Sequence, residues 1–138
     1  MQLVKGHLGV RGQRPRRKVL ILMQPDRQRP PLYTVWEEFC GWTFDRTASI
    51  PKSQRFTFGQ RIDAKTLDIL QVVIRCIYMA EKTSMLNEIN FALEELRVLW
   101  RLVQKRGWIS LQQLDFAQRK LDEAGRMVGG WLKQQRSS

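Results

Sequence analysis

Apolar residues recur every three or four positions along most of this chain, and the recurrence breaks and restarts. Between residues 32 and 48, Leu32, Val35, Trp36, Phe39, Cys40 and Phe44 share one helical face. Gly41 inside that helix costs about 1 kcal/mol relative to Ala, unless it serves a close approach of two helices. Ile50-Pro51 breaks the segment, because a residue before Pro disfavours the α region. Ser53 is the expected N-cap of the next helix, with Phe56 where a reciprocal capping box would need Glu or Gln. Residues 55–58 alternate polar and apolar, as a half-buried strand does. Yet Phe58, Ile62, Thr66, Ile69, Val73, Cys76, Ile77 and Ala80 run on at helical spacing, so the stretch "IPKSQRFTFGQRI" is expected to enter a long helix of roughly 35–40 Å.

"EKTSML" interrupts the pattern, with Thr83 or Ser84 as the expected cap of a third helix carrying Leu86, Ile89, Leu93, Leu96, Trp100 and Val103 to about Lys105. Gly107 suits the left-handed position after a helix. Ser110, with Gln113 three residues on, forms a capping-box pattern. Leu111, Leu114, Ala117, Leu121, Ala124, Val128, Trp131 and Leu132 carry a fourth helix to about Lys133. Four long helices with short connections predict an all-α fold, an antiparallel up-down four-helix bundle. The second and third helices hold surplus apolar residues: Leu67, Leu70 and Ile74 on one, Val98, Leu99 and Leu102 on the other. Surplus apolar area on two adjacent helices points to a subunit interface.

Residues 1–31 differ. "GVRGQRPRRK" and "QPDRQRPP" lack lasting periodicity and hold too little apolar surface to offset the entropy of ordering. The expected division is a basic, Pro/Arg-rich disordered extension over 1–31, a bundle over 32–134 and a frayed tail over 135–138. A short pairing of residues 19–23 is the one order expected in the extension. Met23 is an alternative start, which would leave 1–22 outside the working protein. The run Val19–Met23 is too short for a signal peptide core, and no apolar run reaches the roughly 18 residues of a membrane span. A reduced, cytoplasmic protein is the expectation.

The net charge of +11 is unevenly spread. Residues 1–31 hold eight Lys/Arg against Asp26, and residues 32–138 hold sixteen against twelve acids. Such a balance attracts polyanions. Enzymatic chemistry finds no residues to carry it. His7 is the sole histidine and precedes the helical part; Cys40 and Cys76 sit far apart in apolar contexts without a CxxC. The glycine-rich "GHLGVRG" has no Walker lysine pattern. Glu37/Glu38 and Glu94/Glu95 are helix neighbours that diverge by about 100°. No catalytic residue, metal site or cofactor is expected.

Basic positions remain. Arg61 and Lys65 step by four on the second helix, with Lys52 and Arg55 near its start. Arg97, Arg101 and Lys105 step by four on the third, followed by Arg106; Arg119, Arg126 and Lys133 step by seven on the fourth. Some answer acids on their own helix, the expected pairs being Asp122–Arg126 and Arg119–Glu123. The others form strips that suit phosphates or an acidic partner surface. Tyr33, Trp42 and Trp108 are candidate stacking rings if exposed; Trp42 is expected in the core, and Trp108 is the foremost candidate because it lies in a turn.

"IPKSQRFTFGQRI" (50–62), "LEELRVLWRLVQKRGWIS" (93–110) and "LDEAGRMVGGWLK" (121–133) resemble the accessory variability determinant (Avd) proteins of diversity-generating retroelements, a four-helix-bundle family related to proteins of 23S ribosomal RNA intervening sequences. The resemblance covers about residues 32–134. It rests most on the stretch with Gly125, Gly130 and Trp131, which with Pro51 match as packing elements. It implies a homopentameric, basic barrel that binds the element's reverse transcriptase and its template-repeat RNA and supports mutagenic cDNA synthesis. A bundle scaffold without a retroelement is the alternative. A helix-turn-helix DNA binder, with "QQLDFAQRK" as recognition helix, fits less well, because both helices are too long and apolar positions span the whole of the fourth.

Overall fold

The computed structural model describes residues 29–137, which form four α-helices and no strand. The expectations placed on residues 1–28 lie outside the described residues: all but the last three residues of the disordered extension, the 19–23 pairing, His7 and the Met23 start; the extension's expected last residue, Pro31, is already helical. The helices are α1 (Pro31–Thr47), α2 (Gln60–Tyr78), α3 (Thr83–Lys105) and α4 (Leu111–Ser137). Pro31 opens α1, where a missing N–H costs nothing.

The periodic positions build one shared core. Trp36, Phe39, Ile62, Ile69, Val73, Leu86, Ile89, Leu93, Leu96, Trp100, Val103, Leu121 and Val128 are all buried. An aromatic chain crosses it: Phe39 stacks on Trp42 at 5.5 Å, and Trp42 meets Trp100 at 5.3 Å and Phe116 at 5.1 Å, tying α1 to α3 and α4. The indole N–H of Trp36 donates to the Thr66 carbonyl at 2.9 Å, which fixes α1 on α2. Burial pushes the Cys40 thiol up to about 11 and raises that of Cys76, so neither is a ready nucleophile.

The start of α4 follows its sequence signature on both sides. The Ser110 N–H donates to Gln113 Oε1 at 2.9 Å, and the Gln113 N–H to Ser110 Oγ at 3.0 Å. Gly107 has φ +80, the left-handed turn expected of it.

Other local expectations fail. Regular α2 begins at Gln60, not at Ser53. Pro51 is followed by a 3₁₀ turn (Lys52–Gln54) and a π turn (Arg55–Gly59), and Ser53 caps nothing. Phe58, the first residue of the helical series, packs on the core as expected, while Phe56 is 78 % exposed. Neither Thr83 nor Ser84 caps α3. Its first amides are met from elsewhere, Lys82 N–H by Gln135 Oε1 at 2.8 Å and Thr83 N–H by Glu81 Oε2 at 3.2 Å. Ala80 is exposed because α2 ends at Tyr78, where the Lys82 ammonium takes the Met79 carbonyl. Leu111 is 71 % exposed in the first turn of α4. That helix runs on to Ser137 instead of fraying after Lys133, since Lys, Gln and Arg are good helix formers and Gln135 is tied to Lys82. Gly41 and Gly130 face open space and meet no other described helix of the chain.

Candidate nucleic-acid interface

The eleven basic positions singled out from sequence separate into three groups. In the middle of the bundle, charges are neutralised across helices. Lys65 on α2 pairs with Glu95 on α3 at 2.8 Å. Arg97 on α3 is held by Glu94 at 3.1 Å and by Asp122 of α4 at 3.1 Å, and also donates to the Leu121 carbonyl. Its side chain is only 23 % exposed. Gly125 leaves room for it, since a Cβ there would stand 3.4 Å from the guanidinium. Arg97 and Lys65 are therefore helix-to-helix pins, with little charge left for a phosphate.

On α4 the expected pairs are replaced. Asp122 turns to Arg97, not Arg126; Arg119 pairs with Asp115 at 3.0 Å, and Glu123 with Lys120 at 3.4 Å. Arg119, Lys120, Asp122 and Glu123 line a groove of about 600 Å³ with Phe116 and Arg126. Arg126 and Lys133 make no ion pair among the described residues.

The third group gathers where the α1–α2 connection meets the α3–α4 turn. Phe58 meets Trp108 edge-on at 5.3 Å, which sets the basic segment Lys52–Arg61 beside Lys105 and Arg106. Lys52, Arg61, Arg101 and Lys105 are exposed and make no ion pair among the described residues. Arg106 lies over the Trp108 ring at 5.5 Å, and Arg46, not singled out from sequence, lies over Trp42 at 5.6 Å. Arg55 has two roles. Its guanidinium donates to the Ala48 carbonyl at 2.9 Å and the Ile50 carbonyl at 3.3 Å, satisfying the end of α1, while the side chain remains at the surface.

Two of the candidate stacking rings are engaged: Trp42 belongs to the core cluster, and Trp108 is half-buried between Phe58 and Arg106. Tyr33 lies under Arg29 at 4.4 Å and donates to Glu37 at 3.1 Å. The exposed ring at the basic end is Phe56, which sequence periodicity passed over. It lines a cleft of about 530 Å³ with Phe44, Thr47, Lys52, Arg55 and Asp63. The Thr47 hydroxyl donates to Asp63 Oδ1 at 2.7 Å; burial raises the Asp63 carboxyl, and that hydrogen bond partly offsets the rise.

Of the surplus apolar positions, Leu67 and Ile74 of α2 and Val98 and Leu102 of α3 are exposed, while Leu70 and Leu99 pack against the core; Phe91 of α3, not singled out from sequence, is exposed as well. No described helix is long and apolar enough to cross a membrane. The description bAvd-like belongs to a family model that matches residues 31–135. No curated protein matches the chain, and no solved structure does.

Proposed function

Because the chain belongs to the bAvd-like family, we propose that it is a non-catalytic accessory protein of a diversity-generating retroelement. In this reading it is an antiparallel bundle that assembles as a homopentamer in the cytoplasm. It binds the element's reverse transcriptase and template RNA to support mutagenic cDNA synthesis. The observation that carries the reading is the family match over nearly all the described residues. Two features of the molecule support it. The exposed cations Lys52, Arg61, Arg101 and Lys105 make no ion pair among the described residues and lie toward the end where Phe58 meets Trp108, where phosphates or an acidic polymerase surface would meet them. The apolar residues left exposed on α2 and α3 offer an area that a second copy would cover.

The test is co-expression of the chain with the reverse transcriptase and template-repeat RNA of its own element, purification through a tag on the chain, and mass by light scattering. The expected result is an oligomer that retains both partners. A monomer at micromolar concentration that retains neither overturns the reading.

A further inference from the structure

Phe56 and Phe91 are the two most exposed phenylalanines of the described chain, at 78 % and 77 %, and their surroundings are opposite. Phe91 shares its side of α3 with Val98, Leu102 and the acidic Glu88, Glu94 and Glu95, the last two paired with Arg97 and Lys65. Phe56 sits on the π turn among Lys52, Arg55 and Arg61. That turn points the Phe56 ring outward while Phe58, two residues on, anchors it on Trp108.

The cleft beside Phe56 has a composition that narrows its occupant. Its volume of about 530 Å³ falls within the roughly 300–1,000 Å³ usual for small-ligand sites. A bare phosphate site has no use for a carboxylate, yet Asp63 is part of the lining. An apolar peptide site has no use for Lys52 and Arg55. A ring face, cations and a carboxylate acceptor together match one unpaired nucleotide. The base stacks on Phe56, the phosphates meet Lys52 and Arg55, and the carboxylate accepts from an amino group on the base. Asp63 keeps acceptor capacity for this, since the Thr47 hydroxyl takes only Oδ1.

We propose that the cleft between the end of α1 and the π turn binds an unpaired, amino-bearing nucleotide of single-stranded RNA, with Phe56 as the stacking platform and Asp63 as the acceptor for the base. The proposal rests on the nucleic-acid reading above and adds to it a strand state, a base preference and a location.

The experiment uses the full chain and fluorescein-labelled oligo(rC), oligo(rU) and a mixed-sequence RNA duplex, titrated by anisotropy over a salt series. Cytosine and uracil have the same ring size and differ in the amino group. Wild type is expected to bind the single strands more tightly than the duplex, and oligo(rC) several-fold more tightly than oligo(rU). F56L, which keeps an apolar side chain and removes the ring, is expected to lose roughly 5- to 100-fold in single-strand affinity, the scale of one base–aromatic stack. Its salt slope, which counts phosphate contacts, stays as in wild type. D63N removes most of the cytosine preference, whereas lost negative charge alone would strengthen binding to both oligomers equally. F91L is the control and binds RNA as wild type does. Phe56 is exposed, so F56L is expected to melt with wild type.

If wild type binds no RNA, this proposal and the nucleic-acid part of the function fall together. If wild type binds and F56L binds equally well, the stacking site alone is overturned. If F56L keeps its RNA affinity but no longer retains the reverse transcriptase, the cleft docks protein and the proposal is wrong.

Discussion

Arg97 and Arg101 stand one turn apart on the same helix and meet opposite fates. Arg97 turns toward α4 and is enclosed by Glu94, Asp122 and the Leu121 carbonyl. Arg101 is exposed and makes no ion pair among the described residues. The same contrast separates Lys65, paired with Glu95, from Arg61, one turn earlier and without an ion pair among the described residues. In mid-bundle, neighbouring helices supply counter-charges to Lys65 and Arg97, and these two cations become packing elements. At the end where Phe58 meets Trp108, the chain turns and cations outnumber acids. A charge stripe along one helix is therefore two different things along its length, a structural joint in one turn and a free surface charge in the next.

That division can be broken by experiment. The largest effect is expected from reversing the free end charges together, Lys52, Arg61, Arg101 and Lys105 each to Glu. RNA affinity near 0.1 M salt should fall by about 1,000-fold or more, with a much flatter salt dependence. The melting curve should hardly move, because surface charges remote from packing features change stability by about 0.5 kcal/mol or less each. Arg55 is left out of that set because its guanidinium closes α1, so its reversal would mix binding with folding. A wild-type RNA isotherm from the quadruple variant would end the claim that this end is the interface.

Arg97→Ala should do the reverse. Removing the guanidinium leaves Asp122, Glu94 and the Leu121 carbonyl without their partner, and urea unfolding should report a loss of about 1–3 kcal/mol, below that of a fully buried pair because the side chain is partly solvated. The folded fraction should bind RNA as wild type does. An Arg97→Ala chain of normal stability and weakened RNA binding would reverse the assignment.

The smallest effect sharpens the contrast at a single acid. Burial lifts the folded carboxyl of Asp63 above its ordinary value, so the folded state holds the proton more tightly than the unfolded one. Its ionisation thus costs stability as pH rises through that raised value, and the cost persists at neutral pH. Asp63→Asn, which still accepts from Thr47, should melt slightly higher than wild type at pH 7, and the advantage should vanish below the ordinary carboxylate range. An Asn variant less stable at pH 7 would show that the charge of Asp63 is itself held by the basic end.

Legibility in the sequence followed the range of the interaction. Helix phase, the shared core, the Ser110–Gln113 cap and the Gly107 turn depend on residues a few positions apart, and each stood where the pattern put it. The starts of α2 and α3 did not, because their amides are satisfied from outside the segment: through the turns after Pro51 in one case, by Gln135 from the far end of α4 in the other. The expected Asp122–Arg126 pair failed for the same reason. It obeyed the spacing rule along one helix, but Arg97 arrives from α3 and takes the carboxylate.

The sequence alone determined that this chain would form four amphipathic helices with a common apolar interior, surplus apolar positions on α2 and α3, and an excess of cations. Those properties belong to residue types and their periods. Only the tertiary structure decided which cations stay free and which ring faces water, because a counter-charge or a covering side chain comes from a neighbouring helix. No local period records where that neighbour will lie.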